Sequence, residues 1–243
     1  MRTVAIVQAR MGSSRLPGKV LADLAGATML ARVVERLRAA RTIDDVVIAT
    51  STLTSDDPIV HEAVRLSVGV HRGTERDVLE RYVGAAIAWH AQTIVRVTAD
   101  CPLLDPGVVD RVVGALTDDV DYASNTHERT YPRGLDVEAL HRDTLVRIGR
   151  LGTSAAAREH VTAFVMEAPS LFRVAQVRAA RDDSDLRWTV DTAEDLLVAR
   201  GLYAAMRMPA PYEAVVAAVR ARPELAAPNA NIVQKSWETP RVA

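Results

Sequence analysis

Short apolar runs alternate with amphipathic stretches through the first hundred residues of the chain. Residues 3–9, 45–50, 68–71 and 94–98 are apolar runs rich in β-branched side chains, which predicts buried strands. Between them, residues 29–40, 56–66 and 74–89 repeat apolar side chains at helical spacing. Strands that alternate with helices of this length predict an α/β fold, with a mixed, mostly parallel sheet flanked by helices.

The second half of the chain has a less regular pattern. It predicts strands at residues 122–125, 135–140, 172–177 and 187–190, and helices at residues 154–167, 192–206 and 211–222. No internal repeat or low-complexity linker divides the sequence, which favours a single Rossmann-like domain over residues 1–206. Residues 207–243 predict one further helix and then a tail from residue 222, rich in Pro, Ala and Asn, that packs loosely or against a partner.

The composition describes a globular chain with no sign of a polyanion-binding surface. Its 243 residues are 49% hydrophobic and 25% charged, with a net charge of −1, so we expect a well-packed core and no nucleic-acid partner. No apolar run approaches the roughly 20 residues of a membrane span, and the apolar N-terminus is too short for a signal peptide. Cys101 is the single cysteine, which fits a reducing compartment and predicts a cytoplasmic protein.

The loop after the first predicted strand concentrates small and basic residues. Residues 8–19 read Q-A-R-M-G-S-S-R-L-P-G-K, with three cations, Arg10, Arg15 and Lys19. Small residues let backbone N–H groups approach a phosphate chain, and cations offset its charge. In open α/β folds such a loop also lies where ligands bind. It is not a Walker A loop, because Val20 follows Lys19. An ordinary basic surface loop is the alternative, which the density of cations in a near-neutral chain disfavours.

Lysine is almost absent from the rest of the chain. Only Lys19 and Lys235 among the 30 basic residues are lysine. Because lysine and arginine donate hydrogen bonds differently, a lysine retained against this bias indicates a place where a compact ammonium is needed. Lys19 is therefore the most informative residue of the loop, whereas Lys235 lies in the tail.

Several further motifs follow the loop in a recognisable order. They are H-R-G-T-E-R-D-V-L-E-R-Y at 71–82, R-V-T-A-D-C-P-L at 96–103, Y-P-R-G-L-D-V-E at 131–138, R-E-H-V-T at 158–162 and T-V-D-T-A-E-D at 189–195. Together they resemble the cytidylyltransferases that activate acidic sugars, the acylneuraminate and 3-deoxy-manno-octulosonate enzymes, and most closely the spore-coat polysaccharide protein F group. The resemblance spans residues 1–206 and implies a fold of the nucleotide-diphospho-sugar transferase type.

The resemblance implies transfer of CMP from CTP with release of pyrophosphate. Arg10, Arg15 and Lys19 would hold the triphosphate and stabilise charge as the α–β bridge breaks. Asp100, a catalytic residue, and Asp191 match the two metal-binding aspartates of the family, with Mg²⁺ as cofactor; taken singly, each also fits a helix cap. The implied nucleotide-binding residues are Gln8, Ala9, Arg10, Met11, Gly12, Ser13, Arg15, Lys19, Arg72, Gly73, Thr98 and Ala99.

The acceptor implied by the resemblance is a small acidic molecule, either a sugar acid or a phosphonate. Arginines suit such anions because they pair with them bidentately. The acceptor-binding residues would be Asn125, Arg133, Asp136, Glu138, His160 and Arg187. Residues 126–160 would form a dimerisation and acceptor insertion, and the protein would be a homodimer. Cys101 is interpreted as a packing residue, since no base partner is evident for it.

Two other functions fit parts of the sequence. A nucleotide-sugar-dependent glycosyltransferase would share the α/β sheet, but such enzymes commonly place Asp-x-Asp after a central strand, and here the loop reads Asp100-Cys101-Pro102. A catalytically silent nucleotide-binding module is the second alternative. The joint presence of Asp100, Asp191 and Lys19 favours an active nucleotidyltransferase over both.

Overall fold

Seven strands form one mixed sheet in the computed structural model, which describes residues 1–234. The strands are β1 Thr3–Gln8, β2 Asp45–Ser51, β3 Gly69–Gly73, β4 Thr93–Thr98, β5 Tyr122–Ser124, β6 Glu138–His141 and β7 Val174–Gln176. Their order across the sheet is β3-β2-β1-β4-β6-β5-β7. Only β6 runs antiparallel to its neighbours, β4 and β5; the other pairings are parallel. The predicted fold class is confirmed.

Helices cover both faces of the sheet. They are α1 Met29–Arg38, α2 Asp57–Arg65, α3 Val78–Ala88, α4 Pro106–Gly114, α5 Arg142–Leu151, α6 Ala155–His160, α7 Ala163–Glu167, α8 Ala193–Ala205 and α9 Tyr212–Ala221. Successive residues of a strand point to opposite faces, and the core divides accordingly. Val7 packs with α1, α4, α8 and α9 on one face, and Ile6 packs with α3 and α5 on the other. No helix among residues 1–234 is long and apolar enough to cross a membrane.

The local structure differs from the sequence prediction in three places. The single helix at 154–167 is two helices, because Val161 takes φ 61° and ψ −66° and the Thr162 N–H bonds to the His160 carbonyl at 2.6 Å. The strand at 187–190 is reduced to one bridge between Arg133 and Arg187. Helices α4 and α5 were not predicted, although Asp105 caps α4 by accepting a hydrogen bond from the Val108 N–H.

The C-terminal segment is predicted to pack loosely or against a partner. Most of residues 222–234 are exposed, but Leu225 and Ala226 pack against the core and Asn229 is only 3% exposed. Asn229 is buried because its side-chain amide bonds to Asp195 at the start of α8. The rest of the predicted tail, 235–243 with Lys235, lies outside the described residues.

The carboxyl ends of the central strands bring distant segments to one edge of the sheet. The Ala9 N–H, just after β1, donates to the Ala49 carbonyl in β2, and the Ala99 N–H, just after β4, donates to the Gln8 carbonyl. The Val190 N–H then donates to the Asp100 carbonyl at 2.8 Å. As a result, the first loop, the loop after β4 and the segment before α8 meet at this edge.

Candidate active site

Lys19 is the centre of a polar cluster at the carboxyl edge of the sheet. Its Nζ donates to Asp100 Oδ2, to Asp191 Oδ1 and to the Val190 carbonyl oxygen, each at 2.8 Å. An ammonium has three donors, and here each has an acceptor. The residue is 8% exposed. The structure therefore brings together the three residues that the sequence singled out for catalysis and metal binding.

The first loop folds back on itself to place Lys19 there. The Met11 carbonyl accepts hydrogen bonds from the Ser13 N–H at 2.9 Å and from the Gly18 N–H at 3.0 Å, which closes the loop. Gly18 has φ +70°, a conformation that glycine adopts without the steric cost of a Cβ. A single 3₁₀ turn, Lys19–Leu21, follows and directs the Lys19 side chain towards the sheet edge.

Opposite charges around Lys19 and Asp191 fix the ionisation of both groups. Burial lowers the pKa of Lys19, but the attraction of Asp100 and Asp191 outweighs it, so that the net shift is upward. Burial raises the pKa of Asp191, but Lys19, Arg15 and Arg187 outweigh it, so that the net shift is downward. Arg15 lies 3.0 Å from Asp191 Oδ2. Lys19 is thus a cation and Asp191 an anion at neutral pH.

Asp195 is a structural member of the site that the sequence analysis missed. Its carboxylate forms a bidentate pair with Arg187, from Nε to Oδ1 at 2.8 Å and from Nη2 to Oδ2 at 3.0 Å. It also accepts hydrogen bonds from the backbone N–H groups of Asp191 and Thr192. Thr192 and Asp195 form a capping box at the start of α8, and a Thr followed three residues later by an acid is the signal that could have identified it.

Asp100 is held from a second direction. Thr98 Oγ1 donates to its Oδ1 at 2.5 Å, which leaves Oδ2 for Lys19. Cys101 beside it is 3% exposed, and burial raises the pKa of its thiol well above the ordinary range. A buried thiol of this kind is a poor nucleophile, so the environment favours the interpretation of Cys101 as a packing residue.

The predicted nucleotide-binding residues occupy the same edge, some with structural partners of their own. Gln8, Ala9, Thr98 and Ala99 lie at the ends of β1 and β4. The Met11 N–H bonds to Asp56 Oδ1 at 2.8 Å, and a Cβ added to Gly12 would have no atom within 4 Å. The backbone of this loop at Gly12 is therefore open to a ligand, and the roles of Gly12 and Ser13 stay predictions.

Arg72 and Gly73 lie at the end of β3. Arg72 donates to the carbonyls of Ser51 and Leu53 at 2.8 and 2.9 Å and pairs with Asp57. These contacts hold the turn after β2, and a role in nucleotide binding stays a prediction. A Cβ on Gly73 would lie 2.6 Å from Arg81 Cγ, so the glycine allows a close approach that a larger residue would block.

Arg81 is a second buried residue that the sequence analysis did not single out. It is 1% exposed and donates to the carbonyls of Thr74 and Glu75, which fixes the loop that precedes α3. Burial lowers its pKa, and nearby Arg10 contributes to the same shift. Arg10 is therefore near enough to Arg81 for their charges to interact.

The predicted acceptor residues form two groups. The first group consists of residues whose charges interact: Asp136 and Arg187 both act on Arg133. The pKa of Arg133 is lowered, first by burial and then by the charge of Arg129. Arg129 pairs bidentately with Asp136 at 2.6 and 2.8 Å. Arg187 links this group to Asp191 through Nη2 at 2.9 Å.

The second group lies around Glu138, which is 7% exposed. Its carboxylate forms an ion pair with Arg96 and accepts hydrogen bonds from the hydroxyl groups of Tyr122 and Thr162. The Thr162 N–H donates to the His160 carbonyl, so the backbone of His160 is tied to the Glu138 group through Thr162. Asn125 is 1% exposed, and its amide bonds to the Leu135 carbonyl and the Val137 N–H. These contacts support the architecture of the region, and the acceptor roles of all three predicted residues stay predictions.

The chain is similar in sequence to known cytidylyltransferases. The cytidylyltransferase family model matches residues 4–208. The spore coat polysaccharide biosynthesis protein SpsF of Bacillus subtilis is 35% identical over 206 residues, covering 82% of this chain and 85% of that protein. A 3-deoxy-manno-octulosonate cytidylyltransferase of Anaeromyxobacter sp. (strain K) is 33% identical over 251 positions, covering 84% of this chain and 99% of that protein.

A solved structure agrees with these relatives. A cytidylyltransferase from Leptospira borgpetersenii superposes with a TM-score of 0.91 at 29% sequence identity, over 97% of this chain and all of that one. The resemblance deduced from the motifs is thereby confirmed, and a nucleotidyltransferase is favoured over the glycosyltransferase alternative. The chain belongs to the cytidylyltransferase family and is a nucleotidyltransferase.

Proposed function

We propose that the chain transfers CMP from CTP to a small acidic acceptor, a sugar acid or a phosphonate, in a Mg²⁺-dependent reaction that releases pyrophosphate. One observation carries the proposal: Asp100 and Asp191, from separate segments, hold the same ammonium of Lys19 at 2.8 Å each, and Arg15 lies beside them. Two carboxylates and two cations at the ligand edge of the sheet suit a metal-bound triphosphate.

The chemistry of the donor set fits Mg²⁺. Mg²⁺ prefers hard oxygen ligands and commonly takes only one or two protein carboxylates, the rest being phosphate oxygens and water. Asp100 and Asp191 supply two carboxylates that already share a cation, Lys19. Residues 1–234 contain no group of three or more His, Cys, Asp and Glu that could hold a metal. When bound, the metal would polarise the α-phosphate and lower the pKa of the attacking hydroxyl.

The cations of the first loop would bind the phosphates. Lys19, Arg15 and Arg10 lie on the loop that opens the site, and Gly12, which is exposed, could offer its backbone N–H. Negative charge develops on the bridging oxygen as pyrophosphate leaves, and positioned cations stabilise it without reorganisation. Lys19 would exchange its carboxylate partners for phosphate oxygens as substrate and metal enter.

The acceptor assignment rests mainly on Arg133. Arg129 pairs with Asp136, and Arg187 pairs with Asp191 and Asp195, whereas Arg133 is half-buried and burial and Arg129 both lower its pKa, so an incoming anion would favour its charged form. A carboxylate or phosphonate suits its planar donors. The relative from Anaeromyxobacter is named for 3-deoxy-manno-octulosonate, and that name supports a sugar acid.

Pyrophosphate release tests the proposed function. Purified chain with CTP, Mg²⁺ and a panel of sugar acids and phosphonates is expected to release pyrophosphate with at least one acceptor, and Asp100→Asn is expected to abolish release while keeping the melting temperature. Asp119→Asn, at a side chain 98% exposed, is the matched control and should stay active. CTP binding without pyrophosphate release from any acceptor would support the silent module instead.

We also propose a homodimer in the cytoplasm. Three large apolar side chains, Leu151, Met166 and Leu171, are 45–48% exposed close to or within the predicted insertion, and burying them against a second copy would remove apolar surface from water. Light scattering is expected to give twice the chain mass, and a monomer at micromolar concentration would contradict it.

A further inference from the structure

The segment that follows α9 packs against the start of α8. A 3₁₀ turn at Pro223–Leu225 is followed by a second at Ala227–Asn229. This segment lies beyond residues 4–208, the part of the chain that matches the family. Asn229 in this segment is only 3% exposed, although asparagine is mostly exposed in folded proteins.

Asn229 is buried because its side-chain amide has two specific acceptors. Nδ2 donates to Asp195 Oδ1 at 2.9 Å and to the Arg187 backbone carbonyl at 3.0 Å. Gln234 adds a hydrogen bond from Arg187 Nη1 to its Oε1. The segment thereby bonds to both members of the buried Arg187–Asp195 pair, whose side chains are 7% and 0% exposed.

That pair in turn holds Asp191 by both its backbone and its side chain. Asp195 Oδ2 accepts from the Asp191 N–H at 2.9 Å, and Arg187 Nη2 donates to Asp191 Oδ2 at 2.9 Å. Asp191 presents its other oxygen, Oδ1, to Lys19. A continuous set of hydrogen bonds therefore runs from Asn229 to the carboxylate that faces Lys19.

We propose that Asn229 is a positioning residue for the metal ligand Asp191, acting through the Arg187–Asp195 pair; this inference rests on the proposed function. The orientation of a ligating carboxylate is set by the groups bonded behind it, and losing such a partner typically weakens metal affinity 10- to 100-fold. The amide of Asn229 prevents the pair from rotating, because it ties the Asp195 carboxylate to the backbone of Arg187.

The test compares full-length variants by the gain in CTP affinity that a metal provides. Titration calorimetry measures binding of CTP with Mn²⁺ and of CTP with EDTA, and the ratio of the two affinities isolates the metal's contribution. Asn229→Asp replaces the donor by a carboxylate facing Asp195, and Asn229→Ala removes the donor without adding charge. The control is Asn231→Asp, two residues away at an exposed position.

We expect the metal-dependent gain to fall about tenfold in both Asn229 variants and to stay within twofold of the parent in Asn231→Asp. CTP affinity in EDTA should change little, whereas a merely structural role would lower the melting temperature and both affinities together. A parent-like metal gain in a folded Asn229→Ala or Asn229→Asp would overturn the inference.

The same titrations separate this inference from the proposed function. If the parent shows the metal gain and Asn229→Ala loses it, but no acceptor elicits pyrophosphate, the positioning role stands and the proposed function fails. If the parent turns over and the variants keep the metal gain, only the positioning role fails. A parent that binds CTP no better with Mn²⁺ than in EDTA overturns both.

Discussion

The Nζ atom of Lys19 lies 2.8 Å from Asp191 Oδ1, although 172 residues separate them in the chain. The ammonium is also bonded to Asp100, so one cation lies between two carboxylates that would otherwise repel each other, and Arg15 and Arg187 add positive charge beside Asp191. This arrangement joins the first loop, the loop after β4 and the segment before α8, so Lys19 has a structural role in addition to its proposed chemical one.

Replacing Lys19 should therefore cost far more than losing an average surface charge. We expect Lys19→Ala to lower kcat/KM for CTP about 10²- to 10³-fold, since the loss of one preorganised donor to developing charge costs about 2.7–4 kcal/mol. Lys19→Arg should rescue little, because a planar guanidinium cannot direct one compact group at three oxygens. Steady-state pyrophosphate release measures both.

The matched control for Lys19 is Arg41→Ala, a cation whose side chain is 91% exposed. It should change kcat/KM by less than about twofold, in line with the small contribution of exposed ion pairs. Equal losses in the two variants would contradict a specific role for Lys19.

Gly134 is predicted to be intolerant of a side chain. It has φ +103°, and an added Cβ would lie 2.5 Å from the Thr189 backbone N, in the segment that leads to Asp191. We expect Gly134→Ala to lower the free energy of unfolding by at least about 2 kcal/mol in urea titrations, because the backbone conformation and the contact are both unfavourable.

The same substitution in α8 should act in the opposite direction. A Cβ on Gly201 would meet no atom within 4 Å, and alanine is favoured over glycine in a helix by roughly 0.5–1 kcal/mol. Gly201→Ala is expected to raise the free energy of unfolding by that amount. A loss of stability in Gly201→Ala, or no loss of stability in Gly134→Ala, would contradict the packing around these two glycines.

Removal of Asp195 should destabilise the protein strongly. Its side chain is fully buried against Arg187, and removing one partner of a buried ion pair leaves an uncompensated charge, at a cost of about 3–5 kcal/mol. Asp195→Ala should show this loss in urea titrations. The neighbouring acid Glu194 is exposed in the same helical turn, so Glu194→Ala should cost far less than Asp195→Ala; similar losses in the two variants would contradict the prediction.

Stability at low pH should depend on Asp121. Burial raises the pKa of its carboxyl, but hydrogen bonds from the Arg173 N–H and from the guanidinium groups of Arg173 and Arg147 outweigh burial, and the net shift is downward. A group with a lowered folded-state pKa stabilises the fold above its unfolded-state pKa of ~3.9, and this contribution is lost as the pH falls through the folded-state value.

The measurement is the free energy of unfolding at several pH values from 7 to 2. Asp121→Asn should be less stable than the parent at pH 7, and the difference should shrink as the pH falls below about 4. Asp119→Asn, at the exposed neighbouring acid, should follow the parent throughout. If the difference in unfolding free energy between Asp121→Asn and the parent is the same at every pH, the charge of Asp121 does not stabilise the fold.

The regular elements of the first half could be predicted from the sequence because local patterns determine them. A short β-branched apolar run bounded by turn residues, such as β1 before the loop with Gly18, predicts a buried strand. The order of strand, loop and helix then placed Lys19 and Asp100 at one edge of a parallel sheet. The motif resemblance extended this to Asp191 and to the family.

Other features depended on contacts between segments that are distant in the chain. Val161 interrupts a helix that its own sequence favours, because Thr162 is bonded to buried Glu138. Asn229 carries no local signal, since an asparagine in a Pro- and Ala-rich tail is typical of a loop. Its burial depends on the position of Asp195, which α8 places opposite it. The sequence alone determined the family and which residues are predicted to carry the chemistry. The tertiary structure decided which residues hold them in place, because those bonds join segments with no local sequence pattern in common.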